Sequence, residues 1–150
     1  MNKSEPRLAF VLSLIGGIYT IVGTCILVAL PFLVDAYRFY YYYFGYYIDL
    51  EEIIFATIYL PGIGLVLGIF VIMGSMFIKG RQTTLGGALV LAFSIPSLFF
   101  GLFFLSGILY YGKEFPITIF SVSMIITSAY FLGFIFGLIG AISALTWRPE

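Results

Sequence analysis

The chain has 150 residues, of which 62% are apolar, 20% are aromatic and only 9% are charged, and it contains no histidine. Its seven basic and seven acidic side chains give a formal net charge of zero. So few charges exclude a water-soluble domain, because about a quarter of the residues in such domains are charged. The composition therefore predicts a protein whose surface mostly faces lipid, and the length suits a single domain.

Four long uncharged stretches predict four transmembrane helices. The stretches contain 27, 26, 31 and 33 residues, and about 20 apolar residues are enough for a helix to cross a bilayer. The predicted helices lie near residues 8–34, 53–78, 84–111 and 116–147. The predicted fold is therefore all-α, a polytopic four-transmembrane-helix bundle that forms one membrane domain over residues 1–150. The first stretch exceeds the apolar part of a cleavable signal peptide, so we expect it to remain as an anchor.

Basic residues are distributed unevenly between the two ends of the predicted helices. Five lie in the N-terminal tail, the second loop and the C-terminal tail: Lys3, Arg7, Lys79, Arg81 and Arg148. The first and third loops hold only Arg38 and Lys113. Because Lys and Arg accumulate in cytoplasmic loops, we expect a plasma-membrane protein with both termini in the cytoplasm.

Small residues recur at helical spacing in every predicted helix. The pairs are Gly16 with Thr20, Gly64 with Gly68, Ser97 with Gly101, and Gly133 with Gly137. Close approach at small residues stabilises helix pairs in lipid, where burying one leucine against another gains little. These faces are therefore predicted to hold the four helices together. The alternative is that one face remains free for a partner subunit.

Tyrosine is concentrated in the predicted outer loops. The residues concerned are Tyr37, Tyr40, Tyr41, Tyr42, Tyr43, Tyr46 and Tyr47 in the first loop, and Tyr110 and Tyr111 beside the third. Trp147 is the matching aromatic residue on the inner side. Tyr and Trp favour the boundary between lipid and water, which predicts an aromatic belt. Tyr is also frequent at interface hot spots, so a surface for another protein is the alternative.

The side chains that most catalytic chemistry requires are missing from the sequence. Because the chain has no histidine, it lacks the usual axial ligand of haem, the usual ligands of a catalytic zinc ion and the base of a catalytic triad. The predicted spans also contain no charged residue that could relay protons. We therefore expect no enzyme, no cofactor, no metal site and no nucleic-acid partner. Cys25 is expected to be a small apolar core residue. Pro61 and Pro96 interrupt the second and third stretches, and a broken helix is one mark of a transport site.

Three glycine-rich segments carry a resemblance to a known type of protein: Leu12–Ile18, Ile72–Ala88 and Gly137–Arg148. They resemble the small four-span membrane proteins of uncharacterised function that are common in archaea and some bacteria. The resemblance implies the same topology, and it implies no particular activity because none is established for that family.

These observations favour a non-catalytic accessory or structural subunit of a larger integral-membrane complex, with respiratory or other energy-transducing complexes as the expected class. Its partners would be membrane lipids and other integral-membrane subunits. Two alternatives stay open. One is a self-associating tetraspan scaffold, which would be a homo-oligomer, and the other is a transporter of a small uncharged solute or a lipid.

Overall fold

The computed structural model describes residues 6–33, 58–111 and 117–147, and the described part is all-α. Its four helices are α1 (Arg7–Leu33), α2 (Leu60–Lys79), α3 (Thr83–Tyr111) and α4 (Ile117–Thr146). Each is long and apolar enough to cross a membrane. The predicted all-α bundle of four membrane-spanning helices is thus confirmed. Seven helix ends lie within one residue of prediction, while residues 53–57, predicted to begin the second helix, lie outside the described residues.

The helices form a ring in which each one packs against its neighbours in sequence, and α4 closes the ring against α1. Neighbouring helices are antiparallel. Along α1, for example, Ala9 lies beside Gly140 of α4, and Gly23 lies beside Ala129. The start of α1, the connection between α2 and α3, and the end of α4 therefore lie together, at what we call the Arg7 end of the bundle.

Neither proline predicted to interrupt a span breaks a described helix. Helix α3 runs through Pro96 without a gap. Pro61 lies in the first turn of α2, directly after a π-helical turn at Ile58 and Tyr59. The missing N–H of a proline matters little there, because the first N–H groups of a helix have no intrahelical acceptor.

The connection between α2 and α3 is a tight turn with an unusual residue at its centre. The backbone N–H of Gln82 donates to Phe77 O at 2.9 Å, and that of Arg81 donates to Ile78 O at 3.1 Å. This pair of bonds defines a Schellman motif, whose central residue adopts a left-handed conformation and is usually glycine. Here that residue is Arg81, with φ 67°, although Gly80 is its neighbour.

Candidate functional site

The interior of the bundle contains many hydroxyl groups. Its buried polar residues include Ser13, Thr20, Thr24, Ser75, Ser94, Ser97, Ser123 and Thr127. Several of them donate to a carbonyl in the preceding helical turn, as Thr20 Oγ1 does to Gly16 O at 3.1 Å and Ser75 Oγ does to Ile72 O at 2.6 Å. A hydroxyl bonded in this way can be buried within a membrane protein without leaving a donor unpaired.

The backbones of α1 and α4 approach each other closely at Gly16. A Cβ atom at that position would lie 2.8 Å from Gly133 O and 2.6 Å from the backbone nitrogen of Gly137. Thr20, one turn further along α1, packs against Gly133. The predicted packing residues of the first and fourth helices therefore face each other, so close that no side chain fits between the two backbones.

The small residues of α2 face α1. Gly68 lies against Ile21 and the carbonyl of Gly17, and Gly64 lies against the hydroxyl of Thr24. Gly17 was not among the residues predicted to pack, although it directly follows Gly16. Helix α1 therefore uses two neighbouring glycines for two different partners, Gly16 for α4 and Gly17 for α2.

Two small residues of α3, Ser94 and Gly101, pack against α4. Ser97 is completely buried and its Oγ lies 3.5 Å from Phe93 O, whereas Gly101 lies against the ring of Phe131. Ser94 is also buried, and its Oγ contacts Gly137 without a hydrogen-bond partner. Both α1 and α3 therefore pack against a face of α4 that contains three glycines.

Among the described residues, Tyr130 of α4 is the largest completely buried side chain, and sequence reasoning missed it. Its ring packs against Phe100 and Phe104 of α3, with centroids 5.3 and 6.4 Å away. Its hydroxyl reaches Thr24 Oγ1 at 2.9 Å and lies beside Gly64 of α2. One side chain therefore contacts the other three helices. A tyrosine in the middle of a span was the available signal, because its hydroxyl needs a partner away from water.

The outer surface of the described bundle carries mostly large aliphatic side chains. The prediction for Cys25 was wrong, since this residue is exposed on α1 while its neighbour Thr24 points into the bundle. Within its most apolar 18-residue stretch, α3 is 28% buried, against 39% for the corresponding stretch of α1 and 44% for each of the others.

The exposed face of α3 differs from the other exposed surfaces in its small residues. Thr84, Ala88 and Ala92 follow one another at four-residue spacing, and all three are exposed. Further along the same helix, the rings of Phe99 and Phe103 are exposed. We call these five residues the α3 stripe. Within the described residues, no other helix exposes three small side chains at successive four-residue steps.

A groove of about 330 Å³ runs between α1 and α4 on the outer surface. Its α1 wall is formed by Tyr19, Val22 and Ile26. The α4 wall is formed by Met124, Ile125, Ser128, Ala129 and Leu132. The groove lies toward the end of the bundle opposite the Arg7 end, because four of the five residues of its α4 wall belong to the first half of α4.

The tyrosines of the first loop, from Tyr37 to Tyr47, lie outside the described residues. Tyr110 and Tyr111 form the last turn of α3, at the end of the bundle opposite the Arg7 end, while the half-buried Trp147 follows α4 at the Arg7 end. Positions at the two ends of the bundle are the ones an aromatic belt would occupy, and the belt remains a prediction.

Within the described residues, no group of three or more His, Cys, Asp or Glu side chains could hold a metal ion. The chain matches no known family model, no curated protein and no solved structure. Its resemblance to small four-span prokaryotic membrane proteins therefore stays a prediction. The geometry of the bundle and of its outer surface is the basis for a proposed function.

Proposed function

We propose that the chain is a non-catalytic accessory or structural subunit of a larger integral-membrane complex, and that the α3 stripe is the surface on which a helix of another subunit docks. The single observation that carries the proposal is the exposure of Thr84, Ala88 and Ala92 at four-residue spacing on α3. Small residues allow a second helix to approach closely in lipid.

The use of the other glycines supports this choice of surface. In α1 and α4, the glycines at Gly16, Gly133 and Gly137 already contact a neighbouring backbone inside the bundle. They are therefore unavailable to a partner, whereas a helix on the α3 stripe would meet short side chains near the Arg7 end and two phenylalanine rings further along. Aromatic side chains are frequent at interface hot spots.

The distribution of charge supports a plasma-membrane protein with both termini in the cytoplasm. The antiparallel arrangement brings the exposed Arg7, Lys79 and Arg81 to one end of the bundle. Basic residues beside short connections are retained on the cytoplasmic side during insertion. The Arg7 end is then the cytoplasmic end, and respiratory or other energy-transducing complexes are the partners to test first.

The experiment is purification of the full chain from native membranes in a mild detergent, with the co-purifying proteins identified by mass spectrometry. We expect other integral-membrane subunits to co-purify with the wild-type chain and to be lost with Ala88→Trp, which fills the α3 stripe. Val66→Trp is the matched control, because Val66 is also exposed on its helix but lies on α2.

Three results would overturn this proposal in whole or in part. If the wild-type chain is purified as a lone monomer, it is not a subunit of a larger complex. Co-purification of further copies of this chain alone identifies the self-associating scaffold instead. Retention of all partners by Ala88→Trp would show that the α3 stripe is not their docking surface.

A further inference from the structure

The beginning of α3 carries three backbone N–H groups that have no acceptor within the described residues. In the connection before it, the N–H groups of residues 80–82 all donate back to carbonyls of α2. The N–H of Gly86 then donates to Gln82 O at 2.8 Å, as the first helical bond of α3. The N–H groups of residues 83–85 lie between these two sets. They point out of the Arg7 end along the axis of a 29-residue helix, whose dipole attracts negative charge.

The Thr83 side chain is buried beside these N–H groups, and its hydroxyl is unpaired. Only 8% of the residue is exposed, and no hydrogen bond within the described residues uses this hydroxyl. One turn later, Gly86 lies against Gly74 O of α2 and Gly87 lies against Ala141 O of α4. Thr83 therefore lies between the ends of α2 and α4. Because side chains on a helix lean toward its N-terminus, the hydroxyl is directed toward the three N–H groups.

The Thr83 hydroxyl also remains accessible from the end of the bundle. The unpaired hydroxyl oxygens that are fully enclosed in the described part of the chain are those of Ser13, Ser94 and Thr127. The Thr83 oxygen is not one of them, although the rest of its residue is covered. The beginning of α3 thus presents a protected hydroxyl and three N–H groups to the same side.

The charges around this end of the bundle all have one sign. Within the described residues the charged side chains are Arg7, Lys79 and Arg81, and all three are exposed. Arg81 lies in the turn only two residues before Thr83. Lys79 is directed toward α1, because its Nζ lies 5.5 Å from the centroid of the Phe10 ring. A negative group at the beginning of α3 therefore meets several donors and one nearby guanidinium group.

A phosphate group is the anion that fits these donors. Its oxygens accept several hydrogen bonds at once, and the N–H groups of a helix N-terminus and an arginine are frequent donors to phosphate. The apolar surface of α3 begins within one turn, since Leu85 and Ala88 are exposed. The donors therefore lie at the boundary between lipid and water, at the depth of phospholipid headgroups.

We propose that the beginning of α3 is a binding site for a phosphate group, held by the N–H groups of residues 83–85, the Thr83 hydroxyl and the Arg81 guanidinium. A phospholipid in the leaflet at the Arg7 end supplies such a group, and a soluble phosphate ester offers the same chemistry.

The first test separates these two sources. The full chain in neutral detergent is titrated with dioleoyl phosphatidic acid, with dioleoylglycerol, which has the same acyl chains and no phosphate, and with glycerol 3-phosphate, which has no acyl chains. Native mass spectrometry counts the bound lipid, and titration calorimetry measures binding of glycerol 3-phosphate. Saturable binding of phosphatidic acid alone identifies a lipid headgroup, and saturable binding of glycerol 3-phosphate identifies a soluble ester. Binding of neither, or equal retention of phosphatidic acid and dioleoylglycerol, would overturn the proposal.

The second test removes the Thr83 hydroxyl. Thr83→Val keeps the shape of the side chain, and we expect the affinity for whichever of phosphatidic acid and glycerol 3-phosphate binds to fall about tenfold, because one hydrogen bond to a charged group is lost. Thr146→Val is the matched control. Thr146 also lies at the Arg7 end, but its hydroxyl already donates to Ile142 O at 2.8 Å. Equal affinities of the two variants would contradict the proposed site.

Two charge variants still decide the question if Thr83→Val fails to fold. Arg81→Gln and Lys79→Gln each remove one exposed basic residue from the same end of the bundle. We expect Arg81→Gln to weaken binding of the same ligand about tenfold and Lys79→Gln to change it little. Equal weakening by both variants would show a general attraction to positive charge, and it would overturn the assignment of a site at the beginning of α3.

Discussion

The Tyr130 hydroxyl donates a hydrogen bond of 2.9 Å to Thr24 Oγ1 and so joins α4 to α1 inside the bundle. The direction follows from the neighbouring bond, because Thr24 gives its only hydroxyl proton to Thr20 O, also at 2.9 Å. Both hydroxyls are therefore paired. In a membrane interior an unpaired hydroxyl is costly, so this chain of two bonds helps to determine how the helices pair.

Removing the Tyr130 hydroxyl is expected to weaken the bundle moderately. Tyr130→Phe keeps the ring packing against Phe104 and loses only the interhelical bond, which we expect to cost about 1 kcal/mol of unfolding free energy. Thr24→Val should cost more, because it leaves the Tyr130 hydroxyl without an acceptor. The measurement is equilibrium unfolding in mixed detergent micelles.

A double variant tests whether these losses come from one shared bond. If Tyr130→Phe and Thr24→Val both break the same interaction, the loss in the double variant is smaller than the sum of the single losses. Full additivity of the two single losses would contradict the assigned bond.

A methyl group at Gly16 is expected to separate α1 from α4. The added Cβ would lie 2.6 Å from the backbone nitrogen of Gly137, and because backbone atoms cannot rotate away, Gly16→Ala should cost about 2 kcal/mol. Gly62→Ala is the matched control, since a Cβ there meets nothing within 4 Å. It should be neutral, or stabilising by up to about 1 kcal/mol through helix propensity. Equal effects in chemical unfolding would contradict the observed helix contact.

The number and limits of the helices could be predicted because charge is excluded from the hydrocarbon layer. Lys79 ends α2 and Arg7 begins α1, so the positions of charged residues locate the membrane boundaries. The pairing of helices could not be predicted in this way. Four-residue spacing places Gly16 and Thr20 on one face of a helix, but it carries no information on which other helix that face contacts.

Burial was harder to predict than helix position. Cys25 was expected inside because small apolar residues are buried in soluble proteins, yet it is exposed. In a bilayer the outside of the bundle is as apolar as its interior, so the hydrophobicity of a residue does not separate the two. Tyr130 was missed for the related reason that tyrosine suggested the membrane boundary, whereas its partner Thr24 allows it to lie deep within the bundle.

Two buried serines are expected to respond oppositely to replacement by alanine. Ser94 Oγ has no hydrogen-bond partner, so Ser94→Ala removes an unpaired hydroxyl and should be neutral or stabilising by about 1 kcal/mol. Ser75 Oγ donates to Ile72 O at 2.6 Å, so Ser75→Ala loses a bond and should be the less stable variant. The change in helix propensity is the same in both variants, so it does not affect the comparison. The measurement is the thermal stability of each variant in detergent. A larger loss for Ser94→Ala would indicate that its hydroxyl has a partner.

Arg81 has a φ of 67°, which lies in the left-handed region. A residue with a Cβ atom is strained there by about 1 kcal/mol relative to glycine, so Arg81→Gly should stabilise the connection between α2 and α3 by that amount. Gly80 has an ordinary φ of −74°, and Gly80→Ala should therefore change little. Arg81→Gly also removes one basic residue from the Arg7 end. A second variant therefore separates the effect of backbone strain from the effect of charge.

That second variant exchanges the pair, with Gly80→Arg and Arg81→Gly in one chain. It keeps the number of basic residues in the connection and places glycine at the left-handed position, so it should gain the same stability as Arg81→Gly. Thermal unfolding in detergent gives the stability, and labelling of single cysteines introduced near each end of the chain in intact cells reports the orientation. Because the strain is local to one residue, a gain in Arg81→Gly that is absent from the exchanged pair would assign the effect to charge instead of backbone conformation.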